Sequence, residues 1–314
     1  MQSSMAKLQL RKNIALLSVW LGLVVLSVLA YSYNPYERKS TSFDKDLFAV
    51  DNANQSISRI ELSTVNFKNT LERNSNSWTV NEKYLLDASM QQVFFKLLEQ
   101  VSVQRPINSE NSGKIKQNVL DSGVQVNIYG NERVLKSYTV GGDFQAMRSY
   151  FVHGEEVYLM QLPGYQSYVA GIYEVPENDW RDRVIFDGIW QDMVSLKINR
   201  QKKEAIEFKY QDRLLRIQNQ QADTAEVMNF VERFNYFFVD QFLPKDHIAL
   251  ERKESFDNAG TIEIEGLDKD KSLKLELFKN PEFNAYLVHI NGKEWAAIRN
   301  ERMEKIWIEL EKLL

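Results

Sequence analysis

The residues of this chain that could do chemistry are concentrated in the stretch 138–160, YTVGGDFQAMRSYFVHGEEVYLM. It holds the glycine pair Gly141-Gly142 beside Asp143, and further on His153. A glycine pair after a strand can open a phosphate-binding loop, because backbone amides that converge on an anion need residues without a side chain. Neither the P-loop pattern nor the dinucleotide-binding pattern is present, and a strand follows the pair instead of a helix. The pair is therefore predicted to be a structural loop or bulge with unusual glycine backbone angles.

Histidine is the residue type here that could bind a metal or titrate near neutral pH. The chain has three histidines, His153, His247 and His289, and no cysteine. None of the three falls in a metal-binding spacing such as His-Glu-x-x-His, so neither a metal site nor a cofactor is predicted. His153 and His289 each end a predicted strand beside a turn, which favours a packing role. A pH-sensing or metal-binding role is the alternative.

Carboxylates are plentiful, and two that converged in a cleft could act as general acid and general base. The pair Glu155-Glu156 and the segment Asp179–Arg183 are the densest groups. Their spacing does not predict convergence, and no nucleophile motif such as Gly-x-Ser-x-Gly accompanies them. No catalytic residue is therefore predicted, and a carboxylate-based envelope hydrolase is the remote alternative.

Two further sets of residues are predicted to make contacts. The segment 178–190, NDWRDRVIFDGIW, mixes charges with large apolar residues, as a salt-bridged corner between two packed modules would. A group of tyrosines could line a partly exposed helix face, where tyrosine is favoured in interfaces. The predicted module junction comprises Trp180, Arg181, Asp182, Arg183 and Trp190, and the candidate partner surface comprises Tyr158, Tyr165, Tyr168 and Tyr173.

The elements that must position these residues begin near residue 57. Alternating apolar residues in ISRIELS predict a strand, and NTLERNSNSWTVN predicts a hairpin that turns at residues 74–77. The stretch DASMQQVFFKLLEQVSV predicts a helix capped by Asp87. Its predicted apolar face comprises Met90, Val93, Phe94, Leu97, Leu98 and Val101.

The same order of patterns returns about 137 positions later. MVSLKIN corresponds to the first strand and EAIEFKYQDRLLRIQ to the hairpin. TAEVMNFVERFNYFFVDQF predicts a second helix, capped by Thr224. Its predicted apolar face comprises Val227, Phe230, Val231, Phe234 and Phe238.

The later parts of the two halves also correspond. SYFVH at 149–153 matches AYLVH at 285–289, and a tight turn follows each, with Asn291-Gly292 a strong hairpin signal in the second. Each half is predicted to close with a helix, in GYQSYVAGIYEV and in NERMEKIWIELEKLL. The chain is therefore predicted to be α+β, with two duplicated modules of antiparallel sheet and packed helices at 51–190 and 191–314.

The first 50 residues predict export and anchoring. Ile14–Tyr33 is a run of 20 residues without a charge, long enough at about 1.5 Å per residue to cross the roughly 30 Å hydrocarbon core. Basic residues within 1–13 precede it, so the positive-inside rule keeps this tail cytoplasmic. Residues 34–50 are predicted to be a linker. A cleaved signal peptide is the alternative, which gives the same export without the tether.

In this order, the anchor, ISRIELS, the SWTVN hairpin, the first helix, the 138–160 stretch and DWRDRVIF resemble the bacterial family catalogued as domain of unknown function 4340. Gly141, Tyr150 and Trp78 match positions that recur in that family and that are interpreted as structural. The second module departs from the pattern, with Leu215 in place of the hairpin tryptophan and no glycine pair. The resemblance implies a membrane-anchored, extracytoplasmic protein whose genes often lie beside those of a gliding-motility-type ABC transporter. It implies no catalytic residue.

The expected function is that of a non-enzymatic, single-pass accessory subunit of an ABC-type transport or gliding-related complex, acting by protein–protein binding at the inner membrane with its bulk in the periplasm. Its expected partners are the bilayer, through Ile14–Tyr33, and an ABC permease or auxiliary membrane subunit. The net charge of -4 gives no reason to expect nucleic-acid binding. The alternative is a module that binds an envelope polymer or lipid in a groove between the modules. The sequence names no small-molecule ligand.

Overall fold

The structure is a computed structural model, and its compact part is the long C-terminal portion of the chain. Internal contacts divide the chain into two units, residues 1–44 and residues 45–314. The described residues are 20, 22–28, 43–75, 77–108, 112–131, 133–201, 203–211, 214–218, 220–221, 224–268 and 271–313.

Little of the predicted anchor falls within the described residues. Residues 20 and 22–28 are helical and exposed. The rest of the predicted span at 14–33, the predicted tail at 1–13 and residues 34–42 of the predicted linker lie outside the described part of the chain. Among the described residues, no helix combines the length and the apolar character needed to cross a membrane.

The compact unit begins within the segment predicted to be a linker. Phe48 and Val50 are buried. The ring of Phe48 meets the rings of Tyr138 and Phe151 edge-on, with centroids 5.1 Å and 5.2 Å apart. The polar composition of 34–50 hides these two core residues, so the folded part starts several residues before the predicted boundary at residue 51.

The first half of the compact unit contains a nine-stranded sheet whose neighbouring strands are all antiparallel. Its order is β4-β3-β2-β1-β6-β7-β8-β9-β5. The strands are β1 (Arg59–Ser63), β2 (Lys68–Asn74), β3 (Ser77–Val80), β4 (Tyr84–Leu85), β5 (Ser102–Pro106), β6 (Val124–Gly130), β7 (Arg133–Asp143), β8 (Arg148–His153) and β9 (Glu156–Gln161).

The second half contains another nine-stranded antiparallel sheet, with the order β14-β13-β12-β11-β17-β18-β19-β20-β16. A short strand between the sheets, β10 (Val184–Phe186), pairs with β15 (Phe237–Phe238). The strands of the second sheet are β11 (Met193–Arg200), β12 (Ile206–Gln211), β13 (Leu214–Ile217), β14 (Gln220–Gln221), β16 (Gln241–Phe242), β17 (Asp257–Gly266), β18 (Leu273–Lys279), β19 (Ala285–Ile290) and β20 (Glu294–Arg299).

The two sheets have the same strand order. If β1 is matched to β11 and each later strand to its counterpart, the two orders coincide from edge to edge. In both sheets the last strand of the order, β5 or β16, follows a helix along the chain and pairs beside β9 or β20. The predicted α+β class, with mostly antiparallel sheet and packed helices, is confirmed.

Seven α-helices have bounds within the described residues. The first long helix is capped as predicted, because Asp87 Oδ1 accepts hydrogen bonds of 2.9 Å from the amides of Ser89 and Met90. The helices are α1 (Ala53–Ser56), α2 (Ala88–Gln100), α3 (Ser112–Ser122), α4 (Glu177–Trp180), α5 (Thr224–Val231), α6 (Ile248–Glu251) and α7 (Asn300–Lys312).

Two predicted helix faces need correction. In α2 the buried residues are Phe94, Phe95 and Leu98, whereas Val93 is exposed. Helix α5 ends at Val231, and the chain then forms a 3-10 turn and β15, in which Phe238 is exposed. The helix-like spacing of apolar residues continues past Val231, where the helix ends. It therefore predicts a buried position for Phe238, which is exposed in the structure.

The closing helices also differ from each other. Helix α7 is present as predicted, with Met303, Ile306, Trp307 and Leu310 buried. The predicted closing helix of the first half is wrong, because only a 3-10 turn, Val169–Ile172, forms there. Gly164 and Gly171 weaken that segment as a helix, and Gly164 adopts a positive φ of 83°. Helix α3 was not predicted; Val119 is its buried residue.

Candidate functional site

The glycine pair is part of a strand. Gly141 and Gly142 lie in β7 and pair with Tyr150 and Ser149 of β8. A Cβ on Gly142 would overlap the carbonyl oxygen of Arg148 and would lie 2.9 Å from the ring of Tyr168. The predicted loop or bulge with unusual backbone angles is therefore wrong. Position 142 requires a glycine because β7 and β8 pack closely there.

The histidine of the opening stretch contacts the scaffold. His153 ends β8, and its Nδ1 lies 2.9 Å from the carbonyl oxygen of Ser137. Its ring meets Phe48 edge-on at 6.3 Å. These contacts agree with the packing role that the sequence favoured.

The other two histidines occupy different settings. His289 Nδ1 lies 3.3 Å from Glu276 Oε2, and its ring stacks on Trp295 at 4.4 Å. His247 Nδ1 accepts the amide hydrogen of Ala249, so it caps the short helix α6. Among the described residues, no group of three or more acidic or histidine side chains is arranged to hold a metal ion.

The acidic groups singled out by sequence have separate partners. Glu155 pairs with Lys116 at 2.5 Å, and this hydrogen bond and charge lower the pKa of Glu155. Glu156 accepts a hydrogen bond from Tyr158; burial, together with this acceptor, raises the pKa of Tyr158 to about 12. Burial raises the pKa of Asp179, although Arg183 opposes the rise. These contacts therefore do not bring the carboxylates together in one cleft.

The predicted module junction joins the two halves through its backbone. Leu86 forms an antiparallel bridge with Arg181, and the amide of Asp182 donates to the carbonyl of Leu85 at 2.8 Å. On the other side, the amide of Val239 donates to the carbonyl of Arg183 at 2.9 Å. One short connector thus pairs with the first half and, a few residues later, with the second.

Arg181 is a buried side chain that links the halves. It is 7% exposed, and its Nη1 and Nη2 donate to Glu294 at 3.3 Å and 3.1 Å. The guanidinium lies between the rings of Tyr84, at 3.4 Å, and Phe242, at 3.7 Å. Tyr84 comes from the first half, and the other two partners come from the second. Arginine suits this place because its planar cation can form a bidentate pair and stack on aromatic rings.

The charges around this pair shift two pKa values. Burial acts to raise the pKa of Glu294, but the hydrogen bond and charge of Arg181 outweigh it, and the pKa lies below its ordinary value. Tyr84 also donates a hydrogen bond of 3.0 Å to Glu294. The pKa of Lys83 is raised, first through its hydrogen bond with Tyr84.

The remaining junction residues contact one half or both halves. Trp180 is fully buried; its indole donates to the carbonyl of Val175 at 3.0 Å, and it packs against Phe94 in the first half. Trp190 packs against the second core and meets Tyr210 edge-on. Trp190, within the predicted first module, thus packs on the second core, as packing between modules predicts, whereas Trp180 contacts Phe94 of the first half. Asp182 Oδ1 accepts from the amide of Val184. Arg183 pairs with Asp87 of the first half at 3.3 Å and donates to the carbonyl of Asp240 of the second half at 3.4 Å.

The four predicted interface tyrosines do not form one surface. Tyr158 and Tyr173 are buried, and the hydroxyls of Tyr173 and Tyr138 lie 3.3 Å apart inside the core. Burial raises the pKa of Tyr173 well above its ordinary value. Half of the predicted partner surface is thus core. The prediction assumed a helix that does not form, so the side chains do not share a face.

The other two tyrosines contribute to a different surface. Tyr165 is 69% exposed, and Tyr168 is half-buried beneath Phe144, whose ring meets it edge-on at 5.6 Å. Phe144 is 69% exposed and Met147 is 46% exposed. Met147 and Tyr165 line one open depression of about 620 Å³, together with Arg148. We call Phe144, Met147, Tyr165 and Tyr168 the exposed aromatic cluster.

Comparison of the chain with protein-family models, with curated proteins and with solved structures finds no match. The family resemblance seen in the ordered motifs stays a prediction.

The sequence did not point to Tyr84, Phe242 or Glu294, the partners of Arg181. Phe242 and Glu294 lie far from Arg181 along the chain, and each is unremarkable in its local pattern. The sequence pattern singled out only Arg181 itself, because it is a cation between two tryptophans at the boundary of the predicted modules.

Proposed function

We propose that this protein is a non-enzymatic, single-pass membrane-anchored accessory subunit of an ABC-type transport or gliding-related envelope complex, and that it acts by binding a partner protein. The bulk of the chain would lie outside the cytoplasm, and the segment at 14–33 would hold it in the inner membrane. The observation that carries the binding role is the exposed aromatic cluster. Aromatic residues and methionine are enriched at protein interfaces. In this cluster Phe144 packs on Tyr168, and Met147 and Tyr165 line one depression together with Arg148.

The fold supports such a role because part of the cluster packs on the first sheet. Tyr168 packs over Gly142 of β7, and Phe144 and Met147 lie in the turn between β7 and β8. Side chains that are already held in place lose less conformational entropy on binding, which favours a specific interface.

We also propose that the two halves arose by duplication. The common strand order and the matching positions of His153 and His289 support this origin.

The test is recovery of partners with the full chain, extracted in mild detergent after light crosslinking. We expect an ABC-type permease and its ATPase to be recovered with the wild-type chain. The double substitution Phe144→Ala and Tyr165→Ala is expected to lower that recovery about tenfold, because interface aromatics dominate binding energy.

The control removes exposed apolar groups elsewhere, at Val65 (88% exposed) and Ile308 (52% exposed), by substitution with alanine. This control should recover partners at the wild-type level. Recovery of the chain alone, or equal loss in both double variants, would contradict the proposal.

A further inference from the structure

A cleft of about 600 Å³ lies beside the Arg181–Glu294 pair, between the two halves of the compact unit. Tyr84 and Arg181 reach it from the first half, and Phe242, Glu294 and Trp295 reach it from the second. Its volume falls within the roughly 300–1,000 Å³ range typical of small-molecule sites. A groove between the modules is the alternative for an envelope polymer or lipid, favoured by an apolar or aromatic lining. The cleft has the aromatic residues Tyr84, Phe242 and Trp295 in its lining, but it also carries a marked positive charge.

The lining is strongly basic in a chain whose net charge is -4. Of the thirteen residues that line the cleft, five are cations and one, Glu294, is an anion. Arg181 already neutralises Glu294 through its bidentate pair. The charges left over belong to Lys83, Lys245, Lys253 and Lys293.

These four lysines have no close counter-ion among the described residues. No carboxylate there lies within 4.0 Å of their ammonium groups, although Glu177 and Glu294 act on Lys83 from farther away. Like charges that face one cleft repel each other, and walls of low polarity strengthen that repulsion. An anion placed between them would relieve it.

The lysines come from four separate segments that meet at the cleft. Lys83 lies in the turn before β4, Lys245 in the turn after β16, Lys253 in the 3-10 turn after α6, and Lys293 in the turn between β19 and β20. Each is exposed, so each can reach an anion without leaving a buried position. Convergence of four turns from both halves makes the positive charge a property of the fold and not of one local run.

We propose that this cleft binds an anion that carries two or more phosphate charges. Lysine ammonium groups bind phosphate as compact point charges, and several of them can share one phosphate group without a fixed geometry. The phosphate could belong to a soluble polyphosphorylated compound or to a lipid headgroup. The site lies apart from the exposed aromatic cluster, and the inference does not depend on the proposed partner protein.

The test uses the full chain in a non-ionic detergent and isothermal titration with sodium tripolyphosphate. We expect saturable binding that weakens several-fold when the NaCl concentration rises from 50 to 300 mM, because added salt screens the lysines. The double substitution Lys245→Ala and Lys253→Ala is expected to weaken binding about tenfold, since each charged hydrogen bond contributes strongly. A rise in the thermal unfolding temperature with ligand provides a second measurement of the same binding.

The control double variant, Lys68→Ala and Lys114→Ala, removes two exposed lysines that do not line the cleft, and so changes the net charge equally. It should bind like the wild type. A parallel titration with dihexanoylphosphatidic acid, below its micelle concentration, identifies the source: tighter binding of this compound supports a lipid headgroup, and tighter binding of tripolyphosphate supports a soluble ligand. Absence of binding by both compounds, or equal weakening in both double variants, would overturn the proposal.

Discussion

Arg181 places a nearly buried positive charge where the two sheets meet, and its neighbours explain how the fold tolerates it. Burying a charge is costly unless it is paired and hydrogen-bonded. Glu294 supplies the counter-charge, and two aromatic rings cover the faces of the guanidinium. Its Nε has no hydrogen-bond partner, so the site is incompletely satisfied. Such a pair is better suited to fixing one arrangement of the halves than to adding net stability.

Glu294→Gln tests this pair and its dependence on pH. At pH 7 the substitution should lower the free energy of unfolding by about 2 kcal/mol, less than the roughly 3–5 kcal/mol of fully buried pairs because Glu294 is partly exposed. The pKa of Glu294 is lower in the folded chain than its ordinary value of 4.5. The stabilisation is therefore present above pH 4.5 and is lost as the pH falls through the folded pKa. Urea unfolding between pH 3 and pH 7 measures it.

In that series the difference between wild type and variant should shrink on acidification, because a protonated Glu294 resembles glutamine. Glu301→Gln is the matched control, since Glu301 pairs with Lys305 on the exposed side of α7. The control should keep stability close to that of the wild type, because exposed ion pairs contribute little. A wild-type-to-variant difference that stayed constant from pH 7 to pH 3 would contradict the assignment of the charge to Glu294.

At the scale of elements, the strand pair β7–β8 shows how a residue can be misread from its type alone. The glycine pair is predicted to form a structural loop or bulge, yet Gly142 lies in a strand, where it lets the backbone of β8 and the ring of Tyr168 come close. Gly142→Ala should destabilise the chain by about 1–3 kcal/mol, because the added methyl group forces the strands apart. The change would also displace Tyr168, and with it Phe144, which packs on that ring.

Gly113→Ala is the control for this substitution. Gly113 lies in α3, and no atom would stand within 4 Å of a new Cβ there. Alanine favours a helix over glycine, so this variant should keep or slightly raise stability. Thermal unfolding of the two variants, compared with wild type, decides the matter. Similar unfolding temperatures for both would mean that β7 and β8 can separate without cost.

Local patterns predicted the elements that depend on neighbours in sequence. The hairpin of β2 and β3 turns between Asn74 and Ser77 as expected. The Asn291-Gly292 turn adopts the two positive φ angles, 51° and 68°, that its residues favour. The closing helix of the first half failed because residues such as Tyr173 gain more by entering the core than by forming a helix. The partners of Arg181 also could not be predicted, since they are set by how two sheets meet.

At the scale of the whole molecule, the two sheets form one compact unit although each has its own core. The second half has an extensive core between its sheet, α5 and α7. The polar contacts between the halves include the connector strand, the Arg181 contacts and the hydrogen bond of Tyr84 with Glu294. Arg183 adds a pair with Asp87 and a hydrogen bond to the carbonyl of Asp240. Polar interfaces between domains allow relative motion unless specific contacts prevent it, and these contacts are of that kind.

Arg181→Ala should therefore uncouple the halves. It removes the bidentate pair and the stacking on Tyr84 and Phe242, and it leaves Glu294 without its counter-charge. In the wild type, the slowest-exchanging amides of both halves should report similar opening free energies, because the halves open together. In the variant the two values should separate by about 2 kcal/mol, with the less stable half opening alone. Hydrogen exchange followed by mass spectrometry measures both halves in one sample.

Arg59→Ala provides the control, because it too removes an arginine that stacks on an aromatic ring, here Tyr129 at 4.3 Å, and that pairs with Glu61. All of these partners belong to the first half, so the substitution should lower stability without changing how the halves are coupled. Separation of the two opening free energies in both variants would point to a general loss of stability. Separation in neither would mean that the halves stay coupled without Arg181, through the backbone pairing of the connector and the remaining contacts, and the geometry of the cleft would then not depend on Arg181.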